Sequence, residues 1–105
     1  MKITKIKEDI TSEIANSFRD SVAIDTEATG LQIPERDKLS LIQICDQKDN
    51  VYIIQPNKKT YKAPNLVSVL ENNKIQKIGH FLRFDKNALE FFLKCKMKSL
   101  SLIHI

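Results

Sequence analysis

The 105-residue chain has no tryptophan, only two glycines, three prolines and two cysteines. Nothing in it approaches the ~18 consecutive apolar residues of a membrane-spanning helix, so no membrane role is expected. Its first residues, Met1-Lys2-Ile3-Thr4-Lys5-Ile6-Lys7-Glu8-Asp9, carry charges where a secretory leader needs an apolar run. Cys45 and Cys95 lie fifty positions apart (95 − 45) and form no C-x-x-C pair. Two lone cysteines without a leader predict reduced thiols and a cytoplasmic protein. With so little glycine and proline, no repeat, low-complexity tract or domain linker is visible.

What remains suits one soluble domain spanning residues 1–105. Hydrophobic residues make up 42% and charged residues 29% of the chain. A chain this short buries something over ~60% of its unfolded surface, enough for one modest core. Net charge is +4. That favours contact with polyanions, although a solvated lysine surface explains it as simply. The lysines are scattered, with small concentrations at Lys58-Lys59 and at Lys94, Lys96 and Lys98.

The apolar pattern outlines the elements. Ile10, Ile14 and Phe18 recur every four residues and predict a short helix capped by Asp9. Ser21 to Thr26 reads as a central strand and residues 28–37 as a loop. Leu39 to Cys45 reads as a second strand, and Val51 to Ile54 as a third, antiparallel to it. Pro64 suits the first turn of a helix that ends at Asn72-Asn73. A short strand lies around Ile75 and Ile78. A last helix runs from about Leu82 to Lys94, with Phe84, Ala88, Leu89 and Phe92 on its buried side. The order is helix, three strands, helix, strand, helix, which predicts an α/β fold with a mixed sheet and flanking helices. The tail from Ser99 to Ile105 alternates enough to add an edge strand.

Three acids stand out on this frame. Asp25 and Glu27 sit two apart on a strand, so both point to one face, about 6.5 Å apart along the backbone. Two such carboxylates at 4 Å would repel by ~4 kcal/mol at an effective dielectric near 20. A divalent cation between them reverses that sign. Asp85 follows the strand end at Gly79-His80, and it reaches the same place if that strand neighbours the first. Oxygen-only ligands select Mg²⁺ or Mn²⁺ over zinc, and paired ions suit phosphodiester hydrolysis.

The surrounding residues resemble a known family. Asp25-Thr26-Glu27-Ala28-Thr29-Gly30-Leu31 is similar to the first motif of the DEDD exonucleases. Arg36-Asp37-Lys38-Leu39-Ser40-Leu41-Ile42-Gln43-Ile44 resembles the D-x-L-x-L-I-Q strand of the ribonuclease D branch. Ala63-Pro64-Asn65-Leu66 and Lys77-Ile78-Gly79-His80-Phe81-Leu82-Arg83-Phe84-Asp85 are similar to small bacterial members. This resemblance implies a ribonuclease H-like fold and two-metal 3′–5′ removal of nucleotides from RNA 3′ ends; preference for RNA over single-stranded DNA, the alternative substrate, is not legible. Asp25 would then bridge both cations, Glu27 would hold one and accept the terminal 3′-hydroxyl, and Asp85 would serve the second. Thr29, Gly30 and Leu31 would contact the terminal nucleotide.

The chain also departs from the family's pattern. Phe81 stands where many relatives carry Asn. The family further uses a downstream Tyr or His to orient the attacking water, plus a fourth carboxylate, and no acid follows Phe92 here. The expectation is therefore a domain incomplete at its C-terminus, inactive or very weak by itself. A nucleic-acid- or metal-binding remnant and a poorly folding fragment are the rival readings. Oligomeric state is not legible. Arg83 either touches a phosphate or is a solvated charge, and Leu31 either wedges against a base or anchors its loop. His80 reads as a strand-end residue, Cys45 as strand packing, and Phe84, Phe91 and Phe92 as core.

Overall fold

A computed structural model describes residues 1–30, 33, 37–80 and 82–101. Among these lie eight elements: β1 (Lys2–Lys7), α1 (Ser12–Ser17), β2 (Ser21–Ala28), β3 (Leu39–Cys45), β4 (Asn50–Gln55), α2 (Pro64–Leu70), β5 (Gln76–Ile78) and α3 (Leu82–Leu93). The strands form one mixed sheet in the order β1-β4-β3-β2-β5. β4 runs antiparallel to β3 and β3 antiparallel to β2, as the meander predicts, while β5 lies parallel to β2.

β1 was not expected. The stretch Lys-Ile-Thr-Lys-Ile-Lys pairs in parallel with β4, from Lys2 opposite Asn50 to Lys7 opposite Gln55. It has no continuous apolar run because it is an edge strand, with Lys2, Lys5 and Lys7 in solvent.

The cap of α1 is also corrected. Thr11, not Asp9, receives the amide of Ile14, at 3.1 Å. Asp9 caps a different helix: its two carboxylate oxygens accept the amides of Asn65 and Leu66, both at 2.9 Å, at the start of α2. Ala63, the residue at the α2 cap position, has no side chain able to do this. A carboxylate also suits the positive end of that helix.

Strand alternation sorts the core. Val22, Ile24, Ile42, Ile44 and Ile54 share one face and pack with Phe18, Leu66, Val69, Leu70, Ala88 and Leu89 from the three helical regions. Each such side chain contributes roughly 1.5–3 kcal/mol on burial. The opposite face of the sheet leaves Ala23, Asp25, Glu27 and Gln43 exposed. Phe84 and Phe92 are half-buried beside the core, but Phe91 is 53% exposed and is not a core residue.

The C-terminal segment reaches β5. Lys77 donates its amide to Ser99 and accepts from the amide of Ser101, leaving an isolated parallel bridge to Leu100 rather than the longer edge strand expected. Residues 102–105 of that expectation lie outside the described residues. The Lys77 side chain is fully buried, and its Nζ donates to the carbonyls of Asn72 (2.6 Å) and Lys98 (2.9 Å).

Candidate active site

β2 delivers the first two acids. Its alternation turns Asp25 and Glu27 to the open face and Thr26 to the side where α3 packs. The register with β3 shifts just after Glu27, a local bulge at the rim of the sheet. Asp25 faces Gln43 across the β2–β3 pair. Two hollows meet there. One of about 140 Å³ is lined by Asp25, Glu27, Leu41, Gln43 and Ile53. A larger open one of about 610 Å³ runs from Asp25, Gln43 and half-buried Cys45 to Ile78, Gly79 and exposed His80.

β5 delivers the third acid by stopping early. It pairs with β2 over only three residues, ending with Ile78 opposite Ala23. The chain then turns into α3, whose first turn carries Asp85. The neighbourhood of Gly79 is tight: an added Cβ would sit 3.1 Å from the Ile24 carbonyl oxygen and 3.4 Å from Asp85 Oδ2. Asp85 is 1% exposed. Its Oδ1 accepts the Thr26 hydroxyl at 2.5 Å. Its Oδ2 is buried with no hydrogen-bond partner among the described residues. Burial raises the Asp85 pKa above the usual carboxylate value, and the nearby charge of Asp25 adds to the rise, while the Thr26 hydrogen bond opposes it.

Asp25 and Asp85 thus feel each other's charge, and Glu27 lies one residue beyond Thr26 on the open face. Among the described residues no three acidic, histidine or cysteine side chains already gather as one cation cage. The donor chemistry nonetheless suits a hard cation: all-oxygen ligands, one of them a buried carboxylate oxygen without a partner.

The other predicted residues lie around this centre. The Thr29 hydroxyl donates to Asp37 Oδ1 and accepts the Lys38 amide, both at 3.0 Å. A Cβ on Gly30 would come within 2.5 Å of Asp37 Oδ2, so a larger residue there would displace the Asp37 carboxylate. Leu31 lies outside the described residues. Arg83 is exposed on the first turn of α3. Two residues were missed as contributors. The sequence pattern assigns no separate role to Thr26, nor to Asp37, 5% exposed, beyond their places in the two motifs. The signal for Asp37 is an acid two residues before an apolar strand, after a glycine-containing loop.

A family model described as 3′–5′ exonuclease matches residues 2–104. The chain belongs to that 3′–5′ exonuclease family. Its five-stranded mixed sheet with flanking helices is the ribonuclease H-like fold of its structural neighbours. Brucella melitensis NrnC with bound Mg²⁺ superposes with a TM-score of 0.86 at 36% identity, over 95% of this chain and 49% of that one. NrnC bound to pGG gives the same identity and TM-score over 48% of its length. Escherichia coli ribonuclease D, an exoribonuclease involved in structured RNA processing, shares the fold at 21% identity and a TM-score of 0.75. No curated protein sequence matches. The chain spans about half the length of the NrnC structures. Members of the family are metal-dependent nucleases, and no helix among the described residues is long and apolar enough to cross a membrane.

Proposed function

We propose that this domain serves 3′–5′ exonucleolytic hydrolysis of RNA, working from the 3′ end with two divalent cations, Mg²⁺ or Mn²⁺, at Asp25, Glu27 and Asp85. The observation that carries this is the buried Oδ2 of Asp85, without a hydrogen-bond partner among the described residues and near the charge of Asp25. When bound, such cations supply hydroxide at neutral pH and stabilise both oxygens of an in-line displacement. By its position in the first motif, Asp25 would bridge both cations. Glu27, exposed, would hold one cation and accept the terminal 3′-hydroxyl. Asp85 would serve the second cation. Thr29 and Gly30, braced on Asp37, would contact the terminal nucleotide together with Leu31, and Arg83 would meet a phosphate. Single-stranded DNA fits the same chemistry. The pGG bound to NrnC supports a short nucleic acid as ligand.

A binding role without turnover is the second reading. It is favoured by the absence of a ready three-ligand cage among the described residues.

The test is a single-turnover incubation of the 105-residue chain with 5′-labelled single-stranded RNA and Mn²⁺. The expected outcome is very slow shortening from the 3′ end, abolished by Asp25→Asn and by a 3′-phosphate block. RNA bound with steep salt dependence yet left intact would favour the second reading. Internal cutting unaffected by Asp25→Asn would overturn both.

A further inference from the structure

Thr26 touches two of the three acids of the candidate site, Asp25 and Asp85. Its backbone amide donates to Asp25 Oδ1 at 3.0 Å, and its hydroxyl donates to Asp85 Oδ1 at 2.5 Å. We propose that Thr26 is a positioning residue, which holds one oxygen of each carboxylate so that the remaining oxygen of each is presented to a shared divalent cation. This rests on the metal-site reading above and deepens it.

The geometry follows from the sheet. Asp25 and Thr26 point to opposite faces of β2, so Asp85 cannot meet Asp25 across an ordinary strand pair. β5 ends opposite Ala23, and the edge of β2 beyond that point is left to whatever follows. Asp85 fills this space from the first turn of α3. There one of its oxygens finds the only hydroxyl of the strand segment between Ala23 and Ala28. Once Oδ1 is anchored, the carboxylate plane is set, and Oδ2 stays buried beside Gly79 without a protein donor among the described residues. Without the hydroxyl the carboxylate could turn, and the cation would have to order it on binding. Groups that orient metal ligands in this way commonly change metal affinity by 10–100-fold when removed.

Thr26→Val and Thr26→Ser separate the hydroxyl from the side-chain volume. Valine keeps the shape and removes the donor; serine keeps the donor. The probe is Mn²⁺ alone, read by loss of the free-ion electron paramagnetic resonance signal on titration into the 105-residue chain, with cooperative urea unfolding checked for each variant. The expected result is a Kd raised about tenfold or more by Thr26→Val and within about twofold of wild type for Thr26→Ser. Wild-type Mn²⁺ affinity in a folded Thr26→Val chain would overturn the positioning role and leave the metal site standing. Equal weakening by Thr26→Ser, in a chain that still unfolds cooperatively, would overturn it as well, including where the valine variant does not fold. If wild type binds no Mn²⁺, or if Asp25→Asn binds as wild type, the metal-site reading fails and this role falls with it.

Discussion

Asp85 combines two demands that pull against each other. Its pKa is raised by burial and by the charge of Asp25, so in the folded chain its protonated form is favoured. The stability this contributes is present below the ordinary carboxylate pKa and is lost as pH rises through the raised one. At neutral pH the ionised group is a cost to the cation-free fold. Asp85→Asn is therefore expected to raise the melting temperature at pH 7, by ~4–8 °C for each kcal/mol relieved, with the gap closing near pH 3. The same substitution should weaken Mn²⁺ binding. Calorimetric melts at the two pH values check the first half, and a variant no more stable than wild type at pH 7 would refute it. The candidate acids themselves were legible because period-two alternation makes Asp-x-Glu a one-faced pair. Thr26 was not legible as a partner, because its hydroxyl matters only once a residue fifty-nine positions away has been brought beside it.

At the scale of elements, the boundaries follow local chemistry where apolar residues dominate and depart from it where tertiary contacts decide. β3 begins and ends at Leu39 and Cys45, as its pattern implies, and α2 opens on Pro64. The role of Asp9 could not be read the same way. Its position before Ile10 suits a cap for the nearest helix, yet its partners are fifty-six and fifty-seven residues away. Asp9→Ala should consequently destabilise the α2 junction rather than α1, costing about 1 kcal/mol in urea unfolding. Amide exchange should quicken at Asn65 and Leu66 while Ile14, held by Thr11, keeps its protection. Faster exchange at Ile14 instead would contradict the assignment. β1 escaped notice because its pairing surface is the backbone of β4, not a hydrophobic face of its own.

Across the whole molecule, Lys77 ties three regions together: β5, the turn after α2 at Asn72, and the segment ending at Ser101. Burial lowers its pKa to about 8. Between that value and the unfolded one, the unfolded chain binds the extra proton, so stability should rise with pH. Burial pushes the Cys95 thiol the other way, to about 11, so above its ordinary value of 9.0 that group opposes the rise. The window for Lys77 is thus pH 8 to 9. Urea midpoints should increase across it, and Lys77→Met should flatten the increase; an unchanged slope in the variant would remove Lys77 as its source. No sequence pattern announces a lysine in a core, since its two acceptors are backbone carbonyls that carry no side-chain signature. At the far end of the sheet lysine does the opposite job. The outer rim of β1 sets ammonium groups at Lys2, Lys5 and Lys7 along the edge of the sheet. Two copies approaching rim to rim would bring like charges together before any ladder could form, a guard against fibril-like stacking that weakens as ionic strength climbs.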